Sequence, residues 1–134
     1  MLVDTSVWID HLRNGNASLA SALETSEVWC HPLVQGELVC GNLRNWEEVL
    51  SLLAALPQAP TATHSEALNL VEMHHLMGTG LGWIDIHLIA SALLAGVRLW
   101  TLDRPLARAA QSLGIDGPAT TPSDPGAAGD PDPE

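Results

Sequence analysis

Residues 83 to 101, WIDIHLIASALLAGVRLWT, set the terms for any fold this chain adopts. From Trp83 to Ala95 the run is apolar nearly all round a helix, so it must be covered on more than one side. Gly96 ends it, and VRLWT follows with the composition of a buried strand. A buried helix leading directly into a buried strand belongs in a parallel sheet covered by helices. The remaining sequence fits that class. MLVD reads as a short buried strand, and Thr5 to Arg13 as a helix begun by a hydroxyl cap and ended by Asn-Gly. Ala17 to Glu24 is a second helix and EVWC a strand. Pro32 suits the first turn of a helix PLVQGELVC that stops near Gly41. Trp46, Val49, Leu50, Leu53 and Leu56 form a helical stripe broken by Pro57. After an extended PQAPTAT, His64 to Met77 is helical again, with Leu68, Val71, Met73 and Leu76 as its apolar side. GTGLG is a connector, and Pro105 to Leu113 a last amphipathic helix.

Charge narrows the functional classes. The chain has 16 acidic residues against five arginines and no lysine, a net charge of -11. That excludes a nonspecific phosphate binder, so a nucleic-acid role requires a metal, local positive charge or a basic partner. Residues 117 to 134 hold five of the nine prolines and four of the acids, with no side chain larger than Glu, and are expected to be a disordered acidic tail. Residues 1 to 116 still carry -7, from 12 acids and five arginines. They are expected to form one domain. Cys30 and Cys40 have no finger spacing and are expected in the core. With no apolar run of membrane-spanning length and no leader, the sequence reads as a cytoplasmic protein.

Four acids stand where a bland account strains. Asp4 ends the first strand and Asp103 lies just past VRLWT, at the carboxyl ends where open α/β sheets bind ligands. Glu37 and Asp85 are embedded in apolar helices. A buried carboxylate must be paired, protonated or bound to a cation, and Arg104 is the only base adjacent in sequence to any of the four. A hard divalent ion held by oxygen ligands would satisfy all four at once, and could activate water for phosphodiester hydrolysis. Taken singly, each has a plainer role: Asp4 and Asp103 as N-caps, Asp85 as a first-turn acid favoured by the helix dipole, Glu37 on a solvated face.

The segments VDTSVWIDHLR, GELVCG and WIDIHLIASALLAGVRLWTLDRPLARAAQSLG, spread over residues 1 to 116, together resemble a PIN domain, specifically a VapC-type toxin of a toxin–antitoxin pair. The resemblance implies a three-layer α/β fold, with a short parallel sheet of four or five strands flanked by helices. Ile115 and Asp116 leave little room for the last of those strands. It implies a Mg²⁺- or Mn²⁺-dependent endoribonuclease that hydrolyses RNA with a metal-activated water. By motif match the ligands fall on Asp4, Glu37, Asp85 and Asp103, with the hydroxyls of Thr5, Ser6 and Thr101 hydrogen-bonding behind them. It further implies a homodimer restrained by a cognate antitoxin that inserts a segment into the acidic groove.

Other residues offer less. The six histidines show no HxxxH or HExxH spacing, so a zinc site is not indicated. His87 faces a different helix side from Asp85 and reads as an interior or interface residue. The five tryptophans supply large aromatic packing for the core or a dimer interface. Arg13 and Arg44 follow the first and third helices and are the candidates for RNA phosphate contact. Two rival functions stay open. A phosphotransfer domain would use Asp4 as phospho-acceptor, but normally requires a lysine. A non-catalytic dimeric module would use the acidic groove only to bind a basic peptide.

Overall fold

The structure, a computed structural model, describes residues 1–118. The expected acidic tail therefore lies, but for Gly117 and Pro118, outside the described residues. At the centre are two parallel strands, β1 (Leu2–Val3) and β2 (Leu99–Trp100), in register Leu2 with Leu99 and Val3 with Trp100. Single parallel bridges extend this pair on both sides: Leu2 with Trp29, Cys30 with Gln58, and Leu99 with Asp116. Backbone bonds tie each bridge, among them Trp29 N–H to Met1 O at 2.8 Å, Ala59 N–H to Cys30 O at 2.8 Å and Leu99 N–H to Ile115 O at 2.7 Å.

Five segments thus lie side by side in the spatial order 58, 29–30, 2–3, 99–100, 116. Two are regular strands, and the other three, including the one at Ile115 and Asp116, contribute one or two residues each. Chain order runs outward in both directions from β1 and β2, so the sheet reverses between them. In an open parallel sheet that reversal leaves a crevice beyond the carboxyl ends of the two strands. The strands are short because each gives way almost at once to a residue that caps or leads into a helix. A Cβ at Gly117 would lie 3.0 Å from that of Trp100, so the outermost segment can approach β2 only with a glycine there.

Seven helices cover the sheet among the described residues: α1 (Thr5–Asn14), α2 (Ala17–Glu24), α3 (Pro32–Cys40), α4 (Trp46–Ala54), α5 (His64–Met73), α6 (Trp83–Ala95) and α7 (Arg104–Ser112). Sequence signals fix several of these limits. Gly15 at φ 75 stops α1, Pro32 opens α3, and Gly96 in the left-handed region closes α6. One core joins Leu2, Val3, Val7, Leu19, Val34, Leu88, Ile89, Leu99, Trp100 and Leu106.

Four expectations need correction. The cap of α1 is Asp4, whose carboxylate accepts from Ser6 N–H, and not a hydroxyl. Only Leu88 to Ala92 of α6, with Ile86 before it, is buried; His87 is half-buried, and Trp83, Leu93 and Leu94 are exposed. Helix α5 buries Ala67 and Leu70 and leaves Leu68 and Met73 in solvent, because it packs on α6 through a narrower face than its apolar content suggested. Cys30 is buried, but Cys40, at the last position of α3, is exposed.

Candidate metal centre

Asp4 follows β1 directly and caps α1 with an extended backbone, φ -71 and ψ 157. It is 6% exposed. Its Oδ2 accepts three hydrogen bonds, from Ser6 Oγ at 2.7 Å, Thr101 Oγ1 at 2.7 Å and Ser6 N–H at 3.3 Å. The two hydroxyls in turn accept backbone N–H bonds from beyond β2: Leu102 to Ser6 at 2.9 Å and Asp103 to Thr101 at 3.0 Å. Each hydroxyl proton is thereby committed to Asp4. The 3.2 Å Ser6–Thr101 approach is then a by-product of both groups converging on one oxygen. This knot spans the reversal of the sheet and locks the end of β1 to the loop that carries Asp103.

The other three acids are held in the same manner. Glu37, half-buried on α3, accepts the Thr5 hydroxyl proton on Oε1 at 2.5 Å. Asp85, half-buried in the first turn of α6, accepts Gly82 N–H on Oδ2 at 2.9 Å. Asp103, exposed, caps α7 by accepting Leu106 N–H on Oδ2 at 3.2 Å. Each of the four carboxylates is tied to the protein through one oxygen. For each, the second oxygen has no hydrogen-bond partner among the described residues. The capping and ligand readings therefore do not compete, since a cap occupies one oxygen only. Three of the acids sit at helix N-termini, where the macrodipole favours negative charge.

The four also share one electrostatic neighbourhood. Burial raises the Asp85 pKa above the ordinary aspartate value; the Gly82 N–H bond opposes this, and Asp4, Asp103 and Glu37 each push it up further. No arginine or histidine among the described residues forms an ion pair with any of the four. Among the described residues no three His, Cys, Asp or Glu side chains stand close enough to hold an ion as they are. The donor set nonetheless fits a hard divalent cation: oxygen only, anionic, with four free oxygens and no competing base.

The Asp85 shift has a measurable consequence. Its folded pKa lies above the unfolded one, so the folded metal-free state binds more protons in the window between the two. Stability from this group is present at the acidic side and is lost as pH rises through the raised folded pKa. Asp85→Asn keeps an acceptor for Gly82 and removes the repulsion. At neutral pH without divalent ions it should raise stability by about 0.5 kcal/mol, a size set by solvent screening of a half-exposed group. Urea unfolding in EDTA at pH 7 against a pH below the ordinary aspartate value, about 3.5, checks this, and the gain should vanish at the lower pH.

Arg13 and Arg44 are exposed, and Arg13 lies nine residues beyond Asp4, about 13 Å along α1. Neither bonds to a carboxylate of the site. Two buried polar residues were not expected to meet: His31, weighed from the sequence only as a metal ligand and 1% exposed at the start of α3, and Ser91, fully buried on α6, joined at 3.0 Å. The available signal was His31 immediately before Pro32, a polar side chain at the cap position of a helix with proline in its first turn. A third is Asp10, buried on α1, which accepts from Asn14 at 3.1 Å and Asn16 at 3.1 Å at the α1–α2 corner.

Comparison with known proteins gives consistent results. The PIN domain family profile matches residues 1–112. Ribonuclease VapC32 of Mycobacterium tuberculosis, from strain CDC 1551 / Oshkosh and again from strain H37Rv, is 48% identical over 116 residues, covering 86% of this chain and 94% of the relative. Among solved structures, that of PAE2754 from Pyrobaculum aerophilum superposes with a TM-score of 0.55 at 16% identity, covering 80% of this chain and 82% of that one. The last shows likeness of fold alone.

Proposed function

This chain belongs to the PIN-domain family, and on that footing we propose that it is the ribonuclease toxin of a toxin–antitoxin pair, cutting RNA at phosphodiester bonds with Mg²⁺ or Mn²⁺. The observation that supports the reading is that Asp4, Asp103 and Glu37 all act electrostatically on Asp85, each of the four with one oxygen free and no base paired to it among the described residues. Those four would hold the ion. When bound, it would polarise a phosphoryl oxygen and lower the pKa of a water.

The chain's own groups do the positioning. Ser6 and Thr101 fix the Asp4 carboxylate by one oxygen and leave the other without a partner among the described residues. Thr5 does the same for Glu37, and the Gly82 N–H for Asp85. Preorganisation of this kind spares the site the cost of ordering each ligand when ion and phosphate arrive. The net charge of -11 disfavours RNA in the absence of the cation and suits a basic segment of an antitoxin as the natural occupant of the groove. A homodimer belongs to the same proposal, and the exposed Leu68, Met73, Met77 and Trp83 supply apolar surface for it. No helix among the described residues is long and apolar enough to cross a membrane, in keeping with action in the cytoplasm.

Purified protein incubated with total RNA tests the reading. Cleavage should appear with Mn²⁺ or Mg²⁺ and vanish with EDTA. Cleavage that is indifferent to chelator would overturn the metal assignment, and calorimetry showing no Mn²⁺ uptake would leave only a peptide-binding module.

A further inference from the structure

His31 is buried to 1% exposure and engaged on both ring nitrogens. Nδ1 accepts the Leu33 N–H at 3.0 Å, which caps α3, and this places the ring proton on Nε2. Nε2 therefore donates to Ser91 Oγ at 3.0 Å, on α6. The cap bond requires the neutral ring, since a protonated Nδ1 could not accept the Leu33 N–H. Burial, and to a lesser degree the charge of His87, lowers the His31 pKa below the ordinary histidine value, so the ring is neutral at physiological pH.

The two helices joined by this ring are the two that carry Glu37 and Asp85. Glu37 lies six residues beyond His31 on α3, and Asp85 six residues before Ser91 on α6. Each acid is thus about 9 Å along its helix from the bridge. The carboxylates repel each other, as the effect of Glu37 on Asp85 shows. The bonds drawn by Glu37 and Asp85 themselves go to Thr5 and to Gly82, not to each other's helix. We propose that His31 is a positioning residue for the metal centre: its imidazole bridges α3 to α6 through Ser91 and sets the spacing at which Glu37 and Asp85 share an ion. The inference rests on the nuclease reading given above.

The geometry of the ring supplies a test that separates this role from plain capping. Asparagine carries its amide oxygen at the δ position and can replace Nδ1 as the cap, but it cannot reach Ser91. Glutamine carries its amide nitrogen at the ε position and can replace Nε2 as donor to Ser91, but it leaves the cap unmade. His31→Asn keeps the cap, but the void left by the ring and the unmet Ser91 hydroxyl should lower its melting point by a few degrees, and it should bind Mn²⁺ and turn over RNA about tenfold more weakly, at unchanged KM, as for lost support of a metal ligand. His31→Gln should melt several degrees lower and keep Mn²⁺ affinity and kcat within about twofold. Ser91→Ala should behave like His31→Asn in metal affinity.

Calorimetry with Mn²⁺ alone, thermal unfolding and cleavage kinetics read these effects independently. A His31→Asn variant equal to wild type in Mn²⁺ affinity and kcat overturns the inference and leaves the nuclease reading standing. So does a His31→Gln variant in which both fall with stability. Wild-type protein that neither takes up Mn²⁺ nor cuts RNA overturns the nuclease reading, and this inference with it.

Discussion

Asp4→Asn should yield a folded protein that no longer cuts RNA. Asparagine retains the oxygen that accepts from Ser6 and Thr101, so the knot between β1 and the loop after β2 survives. What disappears is the charge, and with it a central ligand of the proposed ion. A metal's stabilisation of developing phosphoryl charge is worth several kcal/mol. At 1.36 kcal/mol per decade, cleavage should fall on the order of 10³-fold. Because Asp4 also pushes up the Asp85 pKa, the variant should melt no lower than wild type in EDTA. Circular dichroism melts alongside a gel assay of cleavage read both effects. Residual activity above about a tenth of wild type would remove Asp4 from the site.

The largest loss of stability is expected from Leu88→Ala. Leu88 is fully buried at the centre of α6 and sits one turn from both Asp85 and Ser91 along one helix stripe. Truncating a leucine in such a place costs about 2–5 kcal/mol, transfer and cavity together. For a domain of this size that is roughly 10 °C of melting temperature. Well below the new melting point the variant should still cut RNA, since no ligand is removed, though more slowly as the stripe relaxes. Differential scanning calorimetry decides; a shift under 2 °C would mean that α6 does not anchor the core.

How far the fold could be read in advance varied with the kind of signal. Helices with chemical punctuation were legible: Asn14-Gly15 after α1, Pro32 and Gly41 around α3, and Gly96 after α6 all mark limits that the structure reproduces. Helices read from apolar content alone were less so. The expected end of α5 at Met77 retreats to Met73, and its expected apolar side exposes Leu68 and Met73, because content does not say which stripe a neighbour will cover. Cys40 misled for the same reason, as a small apolar residue at the last position of a helix that buries only Val34 and Leu38. The three outer segments of the sheet are too short for periodicity to register. Their bonds go to residues distant in sequence, such as Cys30 N–H to Pro57 O.

The four acids were marked by chemistry that the sequence displays openly: carboxylates at strand ends or inside apolar helices, with few bases to answer them. Their actual burial was not displayed, and it is uneven, from Asp4 at 6% to an exposed Asp103. Local order alone determined that this chain would be an α/β domain, where most of its helices begin and end, and which side chains are chemically anomalous, because propensity, capping and charge are properties of neighbours along the chain. Only the tertiary structure decided that Ser6 and Thr101, 95 positions apart, grip the same oxygen, that one oxygen of Asp4, Glu37, Asp85 and Asp103 is left without a partner among the described residues, and that His31 reaches Ser91. Those are contacts across the sheet and between helices, and they come into being only when the core closes.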